Sequence, residues 1–210
     1  MTPREQALTN VPEAKRWAGA AVSALNAIIG FGGTRSQIAN LSQFKAATMH
    51  FHVTLGPPPS VLSRILAILP FVNPDPTLAV LMEIRFRYFD VLSMLANAPV
   101  AFVDAPAGGG AENVGMAPAF VPKDRDGTLR ITPYYQAIGP LAQVHCLVHE
   151  ATHFLSDAFQ DHAYRDRTGE EDPNKYKTLP VQFAIRNADS YAYFALQMAK
   201  GIDRILSRDE

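Results

Sequence analysis

Residues 145–154 read HCLVHEATHF and contain an HExxH pattern at positions 149–153. On an α-helix, residues four apart lie on one face and one turn apart, so His149 and His153 can point their imidazoles at a single ion. Glu150 follows the first histidine, and its carboxylate can reach a water molecule beside that ion without ligating the ion. Apolar residues flank the pattern and give the helix a side that packs. The stretch predicts a metal-binding helix at the edge of a cleft.

Two histidines and a glutamate at this spacing are typical of zinc sites that carry out hydrolysis. Zinc lowers the pKa of a coordinated water molecule toward about 7, and Glu150 would take a proton from it as the oxygen attacks a carbonyl carbon. A catalytic zinc site has three protein ligands and one water molecule. We therefore expect one zinc ion per chain and a third protein ligand outside the HExxH pattern.

His145 lies on the same helical face, one turn before His149. The rise from His145 to His153 is about 12 Å, so three histidines in a straight row do not converge readily on one ion. We expect His145 to support a ligand, to pack, or to face solvent. The neighbouring Cys146 is expected to pack as a small apolar residue.

The third ligand is sought downstream of the helix. A histidine six residues after His153 would indicate a metzincin, but that position is Phe159. Glutamates 170–171 are candidates within a charged run. Asp161 is closer, eight residues after His153, and the chain can turn back to the metal there. Tyr164 follows three residues later, and its hydroxyl could stabilise a developing oxyanion.

HExxH followed by Asp-x-x-Tyr at 161–164, and then by NADSYAYFA at 187–195, resembles the aspzincins, which comprise deuterolysin and the peptidyl-Lys metalloendopeptidases. The resemblance covers roughly the last seventy residues. It implies a zincin-like fold and zinc-dependent endopeptidase activity on a protein or peptide substrate. It also implies a role for each matching residue: His149, His153 and Asp161 bind zinc, Glu150 is the general base, and Tyr164 stabilises the oxyanion.

The chain departs from the aspzincin pattern at several positions. Ala158-Phe159 replaces the Gly-Thr that precedes the aspartate, and Arg165 replaces the glycine that follows the tyrosine. Asp189 would line a pocket that favours a basic substrate residue, but the second acid of the lysine-specific branch is replaced by Ala192. Two other roles for Asp189 stay open, as a supporting residue behind a ligand or as the third ligand itself. Residues 187–189 are also typical of a helix N-terminal cap.

The order of predicted elements indicates an α+β fold that is mostly helical, with a small antiparallel sheet beside the HExxH helix. We expect one metallopeptidase domain over 1–210, with an N-terminal helical half (1–98) and a second half (99–210) carrying the strands, the HExxH helix, the Asp-Tyr loop and the last helix. The predicted helices are 12–29, 38–53, 76–97, the HExxH helix from Pro140, and 181–206. The predicted strands are 100–103, 119–122 and 129–135. An Asp-Gly turn at 126–127 predicts that the last two strands form a hairpin. A short apolar segment is 61–69, and the predicted loops are 105–115 and 169–179.

Composition limits the classes of partner and location. With 19% charged residues, a formal net charge of −1 and no basic stripe, the sequence does not predict a nucleic-acid-binding protein. We see no membrane-spanning segment and no classical signal peptide, so we expect a cytoplasmic protein or one exported by another route. The single cysteine excludes an internal disulfide. The oligomeric state is left open, as are two other functions, a catalytically inactive zincin-fold binding protein and a non-peptidase zinc hydrolase.

Overall fold

Helices form most of the computed structural model, which describes residues 1–56, 75–105, 117–154, 156, 158–165 and 175–210. The predicted segment 61–69, nearly all of the loop 105–115, and glutamates 170–171 lie outside these ranges. The helices are α1 (Pro3–Ile29), α2 (Arg35–Asn40), α3 (Ser42–Phe51), α4 (Pro76–Ala96), α5 (Ala98–Ala101), α6 (Pro140–Phe154), α7 (Lys175–Thr178), α8 (Val181–Ala184) and α9 (Ala188–Lys200). No helix in these ranges combines the length and the apolar character needed to cross a membrane.

The first helix begins earlier than the sequence pattern predicted. The prediction placed its start at Pro12, whereas α1 begins at Pro3 behind a capping box formed by Thr2 and Glu5. Pro12 is exposed inside the helix. An interior proline costs about 3 kcal/mol, but Val11 and other residues of this first half of the helix are buried against the core. Tertiary burial therefore carries the helix through the proline.

Four other predicted elements differ from the structure. The predicted helix 38–53 is two helices, α2 and α3, joined at Leu41. The predicted helix 181–206 is also two, α8 and α9, and the chain after Gly201 is irregular. The predicted strand 100–103 begins instead at Phe102, because the preceding residues form the single turn α5. The predicted loop 169–179 contains the short helix α7 in its described part.

The sheet is mixed rather than antiparallel as predicted. Its strands are β1 (Phe102–Asp104), β2 (Ala119–Phe120) and β3 (Leu129–Ile131), in the order β1-β3-β2. The predicted hairpin is present, because β2 pairs with β3 in antiparallel register. The strand β1 joins the other side of β3 in parallel. A parallel pair requires a long connection between its strands, and the chain between β1 and β3 provides one.

The helix α1 packs against α4, α6 and α9, so both halves of the chain contribute to one hydrophobic core. Trp17 and Leu25 of α1 are fully buried in this core, together with Leu147 of α6 and Ile131 of β3. The helix α6 also contacts β2 and β3. Because it is held between helices and the sheet, α6 provides a fixed platform for the residues of the HExxH pattern.

Candidate metal centre

Helix α6 presents its two histidines as the sequence predicted. Pro140 is its first residue, and Phe154 is its last. His149 is buried and His153 is half-buried. Their Nε2 atoms lie 3.1 Å apart, so the two imidazoles converge on one point beside the helix. This convergence follows from the one-turn separation of residues four apart.

Asp161 completes a compact group of three ligand atoms. Its Oδ1 lies 3.0 Å from the Nε2 of His149 and 3.0 Å from the Nε2 of His153. About one third of its side-chain surface is exposed (34%), so the group is reachable from solvent on this side. The three residues form a group that could hold a metal ion.

The outer nitrogens of both imidazoles also have partners. The Nδ1 of His153 lies 3.1 Å from the carbonyl oxygen of Phe159. That oxygen can only accept, so Nδ1 carries the proton and a neutral His153 turns a lone pair on Nε2 toward the group. The Nδ1 of His149 faces Oδ1 of Asp189 at 3.5 Å. Such partners orient imidazoles that bind metals.

The charges in the group affect one another strongly. Burial lowers the pKa of His149, but the carboxylates of Asp161 and Asp189 outweigh burial and raise this pKa well above its ordinary value. Burial raises the pKa of Asp161, but the imidazoles of His149 and His153 prevail and hold it far below its ordinary value. Asp161 is therefore ionised near neutral pH, which is the charge state of a carboxylate ligand.

Glu150 lies beside the group without belonging to it. Its Oε1 is 3.9 Å from the Nε2 of His149, and its carboxylate is hydrogen-bonded to the backbone of Val121, just after β2. Burial raises the pKa of the Glu150 carboxyl, although the imidazoles of His149 and His153 oppose the shift. A carboxylate with a raised pKa is a better proton acceptor than an exposed one.

The loop that carries Asp161 is fastened to the start of α9. The backbone N–H of Gln160 donates to the carbonyl of Arg186 at 3.0 Å. The backbone N–H of Ala163 donates to Oδ1 of Asn187 at 3.1 Å. Asn187 occupies the N-cap position of α9, but its side chain forms no capping hydrogen bond there. Its side-chain oxygen therefore fixes the loop that carries Asp161, while its Nδ2 donates to Oγ of Ser190 in the first turn of α9 at 3.1 Å.

Tyr164 and Arg165 also hold the loop in place. The ring of Tyr164 stacks on the imidazole of His149 at a centroid distance of 5.9 Å. The backbone N–H of Arg165 donates to Oδ2 of Asp189 at 2.6 Å, and its guanidinium pairs with Asp203 at 2.9 Å. Arg165, which replaces a glycine of the aspzincin pattern, thus ties the loop to α9 and to the segment after it.

Asp189 is buried between the loop and α6, with 2% of its surface exposed. One carboxylate oxygen accepts from Arg165, and the other faces His149. His145 approaches the same oxygen, with its Nε2 at 3.7 Å. Asp189 is not part of the three-atom group, which argues against the role of third ligand. It contacts His149 and also lines the cavity described below, so its position fits both the supporting and the pocket-lining role.

His145 and Cys146 also lie outside the three-atom group. The ring of His145 packs edge-on against Tyr193 at 4.5 Å, and burial lowers its pKa to about 4. Its Nε2 is buried without a hydrogen-bond partner among the described residues. Cys146 is buried, and burial raises the pKa of its thiol well above the ordinary value.

One contact at the end of α6 was not predicted from the sequence. Arg125, in the turn between β2 and β3, donates from Nη1 to the carbonyl oxygen of His153 at 3.0 Å. Its backbone is left-handed (φ 48°), which is uncommon for a residue other than glycine. The Asp-Gly turn was visible in the sequence, but the contact of its arginine with α6 depends on the packing of the hairpin.

A cavity of about 700 Å³ opens in front of the group. Its walls come from α6, from the strand β2 and the two residues before it, from Tyr164 and α9, and from residues 205–208. His149, Glu150 and Tyr164 all line it. The cavity is large enough for a peptide segment, since small-molecule sites span about 300–1,000 Å³.

Comparison with protein-family models finds no match, and a search of curated proteins finds none either.

Proposed function

We propose that this protein is a zinc-dependent endopeptidase of the aspzincin type with a zincin-like fold. The observation that carries the proposal is the triangle of ligand atoms from His149, His153 and Asp161, with sides of 3.0–3.1 Å. Ligand atoms of a tetrahedral zinc site with bonds near 2.0–2.1 Å lie about 3.3 Å apart. The triangle matches this separation closely, and two imidazoles with one carboxylate suit zinc.

When bound, zinc would lower the pKa of a water molecule toward about 7 and polarise the substrate carbonyl. Glu150, with its raised pKa and its position 3.9 Å from His149, accepts the proton of the attacking water. Asp189 and the carbonyl of Phe159 hold the imidazoles in the orientation that keeps Nε2 available.

Tyr164 supports the same reaction from its position beside His149. Its ring lies against His149 and lines the cavity with Glu150. The phenol hydroxyl donates a hydrogen bond to the oxyanion that develops on the carbonyl oxygen. A preorganised donor of this kind typically contributes a factor of about 10²–10³ to kcat.

The edge of the sheet provides a place for an extended peptide. Ala117, Pro118 and Ala119 line the cavity, and β2 is the outer strand of the described sheet. A peptide that lies along this edge can form backbone hydrogen bonds and present a carbonyl to the site. This arrangement favours a peptide substrate over a small hydrolysable ester.

The proposal is tested by metal analysis combined with digestion of an unstructured protein substrate. We expect about one zinc per chain, cleavage of the substrate, and loss of cleavage on chelation. Glu150→Gln is the discriminating variant, because it should keep zinc and lose nearly all turnover. Zinc binding without cleavage would favour the binding-protein alternative, and cleavage of esters but not peptides would favour a non-peptidase hydrolase.

A further inference from the structure

One wall of the cavity in front of the metal centre is formed by residues that have no role in the proposed reaction. Residues 205–208 follow the last helix and line the cavity. Leu206 is buried, whereas Arg208 is exposed. This wall brings a permanent positive charge to the cavity, and the proposed reaction does not use it.

The wall is docked firmly on the start of α6. The backbone N–H of Gly139 donates to the carbonyl of Arg208 at 2.7 Å, and that of Leu141 donates to the carbonyl of Glu210 at 2.6 Å. These bonds satisfy N–H groups at the start of the helix, which lack partners within the helix. Any β-carbon at position 139 would collide with the backbone of Asp209 and Glu210, so this approach requires glycine.

The guanidinium of Arg208 is oriented but keeps capacity for another ligand. Its Nη1 donates to the hydroxyl of Tyr134 at 3.0 Å, and it lies over the Tyr134 ring at 5.9 Å. Among the described residues, no carboxylate lies within ion-pair distance of Arg208. An arginine has five N–H donors in a planar fork that matches a carboxylate.

The negative groups of the cavity are already engaged. Asp189 is 2% exposed and contacts His149 and the backbone of Arg165, and Glu150 is the proposed proton acceptor. Arg208 is the one arginine or lysine among the described lining residues. A substrate therefore meets an available positive charge, whereas the sequence alone suggested an available negative charge at Asp189.

We propose that Arg208 binds a carboxylate of the substrate, so that the cavity selects acidic peptides. This inference rests on the proposed peptidase function. Gly139, the residue before α6, and the proposed metal ligand His149 are about 15 Å apart along the helix axis. An extended peptide advances about 3.3 Å per residue, so the carboxylate is expected roughly four to five residues from the scissile bond. It comes either from an Asp or Glu side chain or from the terminal carboxylate of the peptide.

The test uses peptides that are blocked at both ends and neutral except for one Glu, scanned over six positions on each side of the cleaved bond. Each Glu peptide has a Gln counterpart, and a second set compares a free C-terminal acid with its amide. We expect kcat/KM to favour the carboxylate about tenfold at one position. A response in the first set identifies a side chain as the ligand, and a response in the second set identifies the terminal carboxylate.

Variants connect this preference to Arg208. Arg208→Gln should bring the ratio of kcat/KM between the Glu peptide and the Gln peptide to about one. Arg208→Glu should reverse the preference, so that a peptide with Lys at the same position is cleaved best. Arg16→Gln is the matched control, because Arg16 is exposed on α1 and pairs with Glu13; it should leave the ratio unchanged. A ratio that Arg208→Gln does not alter would overturn the inference, as would a preference for Lys that Asp189→Asn abolishes.

A second pair of variants tests the docked wall without changing a charge. Gly139→Ala should displace residues 205–208 and weaken the carboxylate preference. The control Gly32→Ala introduces a β-carbon into open space and should leave the preference intact. If no peptide is cleaved at all, the proposed function fails. Binding of the Glu and Gln peptides to Glu150→Gln protein, measured by calorimetry, then still decides whether Arg208 selects a carboxylate.

Discussion

The two sides of the candidate metal centre are built in different ways. On one side, His149 and His153 lie on α6, and their convergence comes from one turn of helix. On the other side, Asp161 lies on an irregular loop whose position depends on α9, more than twenty residues later. The helix side is fixed by local geometry and the loop side by long-range contacts. The loop side is therefore more sensitive to substitutions that lie outside the ligands.

The largest effect is expected from removing the ligand on the loop. Asp161→Ala should lose most of its zinc at micromolar free metal while α6 stays folded, because the helix is held by the core. Competition titration with a zinc-binding dye measures the affinity, and circular dichroism checks the fold. His153→Ala provides the helix-side counterpart and should lose zinc to a similar degree. If Asp161→Ala retained zinc and Asp189→Ala lost it, the assignment of the third ligand would be reversed.

The next largest effect concerns the catalytic contribution of the loop. Tyr164→Phe should keep its zinc and lose about 10²–10³ in kcat, as expected for an oxyanion donor. Steady-state kinetics on one peptide, with metal content measured on the same sample, separates the two properties. An unchanged kcat would mean that the Tyr164 ring only packs against His149.

A smaller effect is expected when the anchor of the loop is weakened. Asn187→Ala removes the acceptor of the Ala163 N–H, and Asp189→Asn removes the charge behind His149. Each should lower zinc affinity by about 10–100-fold. Gln160→Ala is the matched control, because its anchoring bonds come from the backbone. Equal affinities for Asn187→Ala and Gln160→Ala would show that the Asn187 side chain does not position Asp161.

The smallest effect concerns the stability of the fold around His50. His50 of α3 contacts Tyr176 and Gln197, each at 2.8 Å. Burial lowers its pKa from 6.5 to about 4. The unfolded chain therefore binds a proton at His50 below pH 6.5 that the folded chain does not bind until about pH 4. Stability conferred by the neutral imidazole is present above pH 6.5 and is lost as the pH falls through this window.

Urea unfolding of the wild type and of His50→Gln at pH 7.5 and pH 4.5 measures this contribution. Between pH 7.5 and pH 4.5, we expect the free energy of unfolding to fall by about 2 kcal/mol more in the wild type than in the variant. The metal-site loop variants should not share this difference, because they leave His50 in place. Parallel losses in both proteins would show that other groups dominate the pH dependence.

Parts of the fold and site were predictable because they depend on local chain geometry. The helix bounds 76–96 and 140–154 match capping and proline signals close to their ends, and the β2–β3 hairpin matches its turn signal. The sequence missed the parallel pairing of β1 and the division of the last helix into α8 and α9. Those features depend on which segments pack together across a long connection. The hydrophobic periodicity of the sequence carries no information about such pairing.

The sequence by itself determined the helix with His149 and His153, the adjacent Glu150, and Asp161 with Tyr164 as candidates on the following loop. Spacing along a helix is a property of the backbone, so it can be read from residue order alone.

Only the tertiary structure decided that Asp161 meets both imidazoles, that Asp189 lies buried behind His149, and that Arg208 lines the cavity. Each of these outcomes joins residues that are distant in sequence. Packing of α9 and of the segment after it against α6 sets their distances, and local propensity does not.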